Sequence, residues 1–449
     1  MIKTIKNSSK YLIALSLGVL LSACGTGGNT GVNSVEDGSA QFVGATVIDD
    51  INASVMLQVV KAAIDANATN AFGYKAVKIS YNTVNEDNTP VVASGLLVIP
   101  TATDAYQQYR IANGQKPFSV SMLCDNHKTI FADVEAPTKV EVSDHQPNYS
   151  LAVLETGYAG FAGIYPDYIG FGDSLGTVHP YIMKKASARA SVDMIKASMK
   201  YMESQGIALN HQLYVTGYSE GGYVAMATAQ KVEAELENVN LMGVAPMAGP
   251  YNVEDLADRE LNATNIMVYP AFLADLAYSY SEYYDDVNLS EIANANISIA
   301  QFQTAFNGSY DTVPIHTILG LADPSKKDYG FYTHKASELF SISFLDEYNS
   351  NVNSVMRGRF QENALDDWTP RSKMNFIQCL DDEIIPFSES NNTYNKFKAN
   401  GANVTLTAIP TAALSQQQDA LHPFVHVNCG TEAYGAAVQW FNAIRNGDI

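Results

Sequence analysis

Leu213-Tyr214-Val215-Thr216 runs without a break into Gly217-Tyr218-Ser219-Glu220-Gly221-Gly222 and on into Tyr223-Val224-Ala225-Met226-Ala227. The opening four residues read as a short buried strand, and Gly221–Leu236 reads as a helix directly after it. Between the two stands G-x-S-x-G. Chance alone supplies on the order of 0.1 such matches in a chain this long, so the pattern by itself is only moderately specific. The strand before it and the helix after it make it informative. A turn that sharp needs glycine on both sides of the serine, because a Cβ would clash there, and it lifts the hydroxyl clear of the strand ends. Ser219 is therefore the candidate nucleophile.

The pattern continues in both directions. Ala76–Val84 and Val91–Ile99 read as a strand pair split by the polar turn Asn85-Glu86-Asp87-Asn88, and Phe118–Leu123 and Gly163–Tyr165 read as further strands. Ala186–Gln205 reads as a helix, with Ala190, Met194, Ala197 and Tyr201 at helical spacing. Strands over Leu241–Met247, Asn375–Ile377 and Val404–Ile409 follow, with helices over Ser388–Ala399 and Glu432–Arg445. Strands alternating with helices predict an α/β fold with a mostly parallel central sheet flanked by helices. Between about 251 and 363 the alternation fades into a stretch holding Tyr269, Phe272, Tyr278, Tyr280, Tyr283 and Tyr284. This reads as a largely helical cap insertion, whose aromatics either fill its own core or line a ligand site.

A serine hydroxyl is a poor nucleophile and needs an adjacent base. With the elbow, these elements resemble the α/β-hydrolase fold, in which the chain order is Ser, acid, His. Of the eight histidines, only His422 and His426 lie between the last strand and the last helix. His426, close to the start of the closing helix, is the better candidate base. The pair also has H-x-x-x-H spacing, but Pro423 and the lack of a nearby carboxylate ligand argue against a metal site. The acid is expected at the carboxyl end of the Asn375–Ile377 strand, where Asp381-Asp382-Glu383 stand in a row.

Tyr165-Pro166-Asp167-Tyr168-Ile169-Gly170-Phe171-Gly172-Asp173-Ser174, His179-Pro180-Tyr181, the elbow and the closing Trp440-Phe441 together resemble the secretory lipase family of α/β-hydrolases, over roughly residues 75–445. In related hydrolases the acid loop reads G-x-x-D-x-x-V-P. Cys379–Pro386 aligns with it, which implies Asp382 as the acid. Cys379 stands where the family has glycine, and Asp381 stays open as the alternative. The spacing to Trp440-Phe441 implies His426. The oxyanion hole needs two backbone N–H donors. One is expected from Glu220, the other from the loop His127-Lys128-Thr129, with Lys128 in place of the glycine of the family's His-Gly-Thr. Cys379 and Cys429 each lie three residues from an expected triad member, so a disulfide between them is expected, leaving Cys124 buried in its strand.

Lys3, Lys6 and Lys10 precede the apolar run Tyr11–Leu21, and Leu21-Ser22-Ala23-Cys24 resembles a bacterial lipobox. The expectation is a lipoprotein signal peptide over 1–23, lipidation of Cys24, a flexible tether over 24–41 and a hydrolase domain over 42–449. Gly25 points to the outer membrane of a Gram-negative cell. The formal charge is −20, and loss of residues 1–23 removes three lysines and no acid. A polyanion of this kind makes nucleic acid a poor partner. The expected activity is that of a serine lipase or esterase acting on small acyl esters or acylglycerols through an acyl-enzyme, with no metal or organic cofactor. The alternatives are a peptidase of the prolyl-oligopeptidase kind and a catalytically inactive surface binding protein. The stretch before the first strand is too short for the β-propeller that such peptidases carry.

Overall fold

The strand β1 spans Phe42–Ile51, β2 Gly73–Val84 and β3 Pro90–Thr101, a ribbon of antiparallel neighbours. In β2 buried and half-buried positions alternate, whereas eight consecutive residues of β3 are buried. That change marks the passage from the sheet's edge to its interior. The computed structural model of the chain describes residues 42–114, 118–140, 151–262, 264–328, 331–414 and 425–449. The expected signal peptide, Cys24 and tether lie outside the described residues, as does His422.

Six further strands complete the main sheet: β4 Val120–Asn126, β5 Ala162–Pro166, β6 Leu209–Tyr218, β7 Asn240–Met247, β8 Met374–Cys379 and β9 Val404–Ile409. Their order is β1-β2-β3-β5-β4-β6-β7-β8-β9. The pairing turns parallel at β5 and stays so to β9. Every residue of β4, β5 and β8 is buried, as expected of parallel strands covered on both faces. The helix Lys184–Ser204 buries Ala190, Met194 and Ala197 against the sheet, while Tyr201 stays half-exposed and stacks on Phe42. Among the described residues no helix is long and apolar enough to cross a membrane.

Two departures from the sequence reading matter. β1 and the helix Ala53–Ala63 precede the first expected strand. β1 is an edge strand with no fully buried residue and two register shifts, so it carries no clean hydrophobic period. Asn52 caps the helix, accepting from the N–H groups of Ser54 and Val55. The closing helix spans Val425–Asn446, seven residues earlier than expected, so His426 sits in its first turn and not in a loop. Its buried stripe is His426, Cys429, Ala433, Ala437, Phe441 and Ile444. Gly430 weakens the local helix signal, and the packing of this stripe overrides it.

Between β7 and β8 the chain forms a series of helices, the longest being Pro270–Tyr283, with short strand pairs between them. The carboxyl ends of β4, β6, β7 and β8 open toward one side, which is where α/β folds build their sites.

Candidate active site

The turn after β6 is strained. Ser219 has φ 61° and ψ −123°, a left-handed conformation that a non-glycine residue adopts only when its surroundings enforce it. Its N–H donates to the carbonyl of Met247 at the end of β7. A Cβ on Gly217 would come within 2.2 Å of the Gly221 carbonyl oxygen, and one on Gly221 within 1.9 Å of that of Asn126. The same glycine that permits the turn thus lets the strand β4 and its following loop touch the elbow. Gly222 is equally constrained, by the Met247 carbonyl at 2.3 Å, although the sequence reading attached no role to it.

Ser219, His426 and Asp382 form one hydrogen-bonded chain. His426 Nε2 lies 2.9 Å from Ser219 Oγ, and His426 Nδ1 lies 2.7 Å from Asp382 Oδ2. All three residues are buried, between 5% and 8% exposed. The second Asp382 oxygen accepts from the backbone N–H groups of Ile384 and Ile385, at 3.1 and 2.9 Å, and Gln378 Nε2 donates to Oδ2. Asp381 turns the other way: it is exposed and accepts from the Thr411 hydroxyl. Glu383 is half-buried; burial raises its carboxyl above the ordinary range, and it accepts from the His426 backbone N–H. The Tyr218 hydroxyl donates to the His426 carbonyl at 2.6 Å. Cys379 and Cys429 are joined by a disulfide that ties the acid loop to the closing helix. Cys124 is free and buried in β4.

The loop after β4 lies against the elbow through Asn126 and His127. No described group accepts from the backbone N–H of Lys128 or of Glu220. The Lys128 side chain is exposed, and the His127 ring sets Nδ1 2.7 Å from the Lys128 carbonyl oxygen and lies tilted against Tyr168. Burial pushes the His127 imidazole down to about 4, so it is neutral at physiological pH. Asp167, in the Tyr165–Ser174 motif, organises this region. It accepts from the hydroxyls of Ser94 and Thr138 and from the Thr138 N–H.

A cleft opens over Ser219. Tyr269, Phe272, Leu273 and Leu276 from the region between β7 and β8 form one wall, and Ile384 and Ile385 of the acid loop another. The remaining aromatics singled out in the sequence do other work. Tyr280 donates to the Ile182 carbonyl, Tyr284 accepts from Asn363, and Tyr278 stacks on Phe306. Sequence reasoning also passed over His179, whose Nε2 lies 2.8 Å from the Glu220 carboxylate. The only signal for it was its place in His179-Pro180-Tyr181. Among the described residues no cluster of three or more His, Cys, Asp or Glu is arranged to hold a metal ion.

Comparison with known proteins agrees with this architecture. Residues 138–305 match the family model of the secretory lipases. The fold is similar to a candidate hydrolase of Legionella pneumophila (TM-score 0.73, 19% identity, 90% of this chain and 98% of that one). It is similar to the rice cell wall degrading esterase LipA of Xanthomonas oryzae in a ligand-bound form (TM-score 0.72, 20% identity, 89% and 97%). It is also similar to lipase A of Candida antarctica in its closed state (TM-score 0.55, 15% identity, 89% and 91%). No curated protein sequence matches the chain. The chain thus has the α/β-hydrolase fold, and its central segment, with the elbow inside it, resembles the secretory lipases.

Proposed function

We propose that the protein is a serine carboxylester hydrolase of the lipase/esterase type. The observation that carries this reading is the hydrogen-bonded chain Ser219–His426–Asp382, with Ser219 lining an apolar cleft. His426 takes the Ser219 proton as Oγ attacks the ester carbonyl carbon. Asp382 accepts from His426 Nδ1, fixing the tautomer that leaves Nε2 free to act, and it balances the imidazolium that forms. The backbone N–H groups of Glu220 and Lys128 face the negative charge that develops on the carbonyl oxygen. The tetrahedral species collapses, the C–O bond to the alcohol breaks, and the alkoxide takes its proton from His426. Water then repeats the cycle on the acyl-enzyme and releases the acid. No cofactor enters these steps.

The segment from about 251 to 363 acts as a cap, and its apolar wall selects the acyl chain at about 0.8 kcal/mol per buried methylene. Short to medium p-nitrophenyl esters and tributyrin are the expected substrates. The negative net charge makes anionic lipid surfaces poor ones. The basic head, the apolar run and Leu21-Ser22-Ala23-Cys24 support export and a lipid anchor at Cys24 in the cell envelope; palmitate labelling that survives Cys24→Ala would reject the anchor. The activity is tested by fluorophosphonate labelling and ester turnover of the native protein against Ser219→Ala. Esterase activity and labelling that both vanish in the variant support the reading. A protein that cleaves proline-containing amides and no acyl ester overturns it in favour of a peptidase. A native protein that neither labels nor turns over any ester overturns it in favour of a binding protein.

A further inference from the structure

Glu220 contributes more than a backbone N–H. Its side chain is buried at the first turn of the helix Glu220–Glu235 and lines the cleft beside Ser219. One carboxylate oxygen meets His179 Nε2 at 2.8 Å, and the other is buried with no hydrogen-bond partner among the described residues. His179 Nδ1 in turn lies 2.8 Å from the carbonyl oxygen of Ile169. A carbonyl only accepts, so Nδ1 carries a proton. A second proton must then stand between Nε2 and the carboxylate, since two lone pairs do not attract each other. Whichever atom holds it, the couple is electrically neutral as a unit.

The couple is walled in. Tyr168 lies parallel to the His179 ring with centroids 5.9 Å apart, and Phe171 and Tyr181 complete the enclosure. The cap helix Pro270–Tyr283 holds the segment from behind. Ser279 Oγ donates to the His179 carbonyl at 2.8 Å and accepts from the Tyr181 N–H at 2.9 Å. Asp275, one turn earlier on that helix, is also buried and feels the charge of His179. Burial alone would lower the His179 imidazole, but the Glu220 charge and hydrogen bond, with Asp275 behind them, hold it above its ordinary value. The titratable groups facing the ring are Glu220, Asp275, His127, Tyr168 and Tyr181.

We propose that His179 is a positioning residue for ester hydrolysis. It clamps the Glu220 side chain and cancels its negative charge beside the site where the oxyanion forms. The proposal rests on the serine hydrolase reading above. A bare carboxylate on the residue that supplies an oxyanion donor would oppose the charge developing on the substrate, in a site too dry to screen it. The unpartnered oxygen of Glu220 means that no other described group would take over from His179.

The test uses His179→Gln and the double variant His179→Gln/Glu220→Gln in the full chain, with p-nitrophenyl butyrate as substrate. The single variant is expected to lose roughly tenfold to a hundredfold in kcat, with KM within about threefold of native. The double variant, with no charge on either side, regains most of the lost kcat. A double variant as slow as the single one overturns the proposal and leaves His179 a packing residue. If the single variant does not fold, restoration of folding by Glu220→Gln supports the proposal, and failure of both variants to fold overturns it. The two readings fail separately. A Ser219→Ala variant with native turnover overturns the serine mechanism. A dead Ser219→Ala variant beside a His179→Gln variant of native kcat overturns only the role of His179.

Discussion

His426 and His179 are both buried, and each has a carboxylate oxygen within 3 Å, yet their second nitrogens meet opposite chemistry. His426 turns Nε2 to the hydroxyl of Ser219, a group that can give up a proton. His179 turns Nδ1 to a backbone carbonyl, which can only accept one. An acid beside a histidine therefore does not make a base. On the proposed mechanism the base is the imidazole with a nitrogen left for the reaction, and the other imidazole serves to compensate a charge. The acids differ as well. Asp382 is held by two backbone N–H groups as well as by His426, whereas one oxygen of Glu220 has no hydrogen-bond partner among the described residues.

The sharpest way to break the comparison is to remove the reacting atoms. Ser219→Ala is expected to lower kcat by roughly 10⁴ or more with the fold intact, and His426→Ala to come close to it, because the members act as a unit. That loss should exceed the His179→Gln loss by at least about a hundredfold. Steady-state kinetics with far-UV circular dichroism of each variant checks this, and His422→Ala should keep most of the activity.

Next comes the choice between neighbouring acids. Asp382→Asn is expected to cost about 10³ to 10⁴ in kcat, while Asp381→Asn stays within about threefold. Asp381 is exposed and bonded to Thr411, away from His426. Reversed rankings would move the acid by one residue without changing the class.

The cap wall tests specificity rather than chemistry. Phe272→Ala removes an apolar surface over Ser219, so kcat/KM for p-nitrophenyl octanoate relative to the acetate should fall by about tenfold. An unchanged chain-length profile would take Phe272 out of the acyl site.

The disulfide joins the end of β8 to the closing helix, next to the residues through which Asp382 and His426 meet. Cys379→Ser/Cys429→Ser is expected to cost about 2–4 kcal/mol of stability, read by denaturant unfolding, and to lower the temperature at which activity is lost.

The smallest effect concerns Asp125, one residue from the loop that touches the elbow. Burial raises its carboxyl to about 8, and burial with the Asp125 charge raises Glu155 as well. The native state then holds a proton that the unfolded chain releases near pH 4, so this group's contribution falls as pH rises from about 4 to about 8. Asp125→Asn should melt close to the native protein at pH 4 and a few degrees higher at pH 8. A melting difference that shrinks with rising pH would contradict the assignment.

What could be read from the chain follows the range of each constraint. The elbow is legible because the glycines it requires fall within six consecutive residues, Gly217 to Gly222, although the atoms that exclude a Cβ at Gly221 and Gly222 belong to Asn126 and Met247. The parallel core is legible because its strands are buried at every position and so are rich in apolar residues, with Ser121, Asp125, Asn126, Asn375 and Gln378 as the polar exceptions. β1 escaped because an edge strand buries almost nothing, and the first turns of the closing helix escaped because Gly430 lowers the local propensity that packing restores. Asp381 and Asp382 are chemically alike and adjacent, so only the turn after β8 decides which carboxylate faces His426.

By itself the sequence determined that Ser219 sits on a strained turn between a strand and a helix, since backbone sterics act locally. It determined the sheet's general character, because burial leaves its period in the residues. Tertiary structure alone decided that His179 reaches Glu220 across 41 positions and that the helix Pro270–Tyr283 holds the His179 carbonyl through Ser279. Charge compensation depends on distance and on exclusion of water. Both are set only when remote segments pack, so neither leaves a mark on the spacing of residues along the chain.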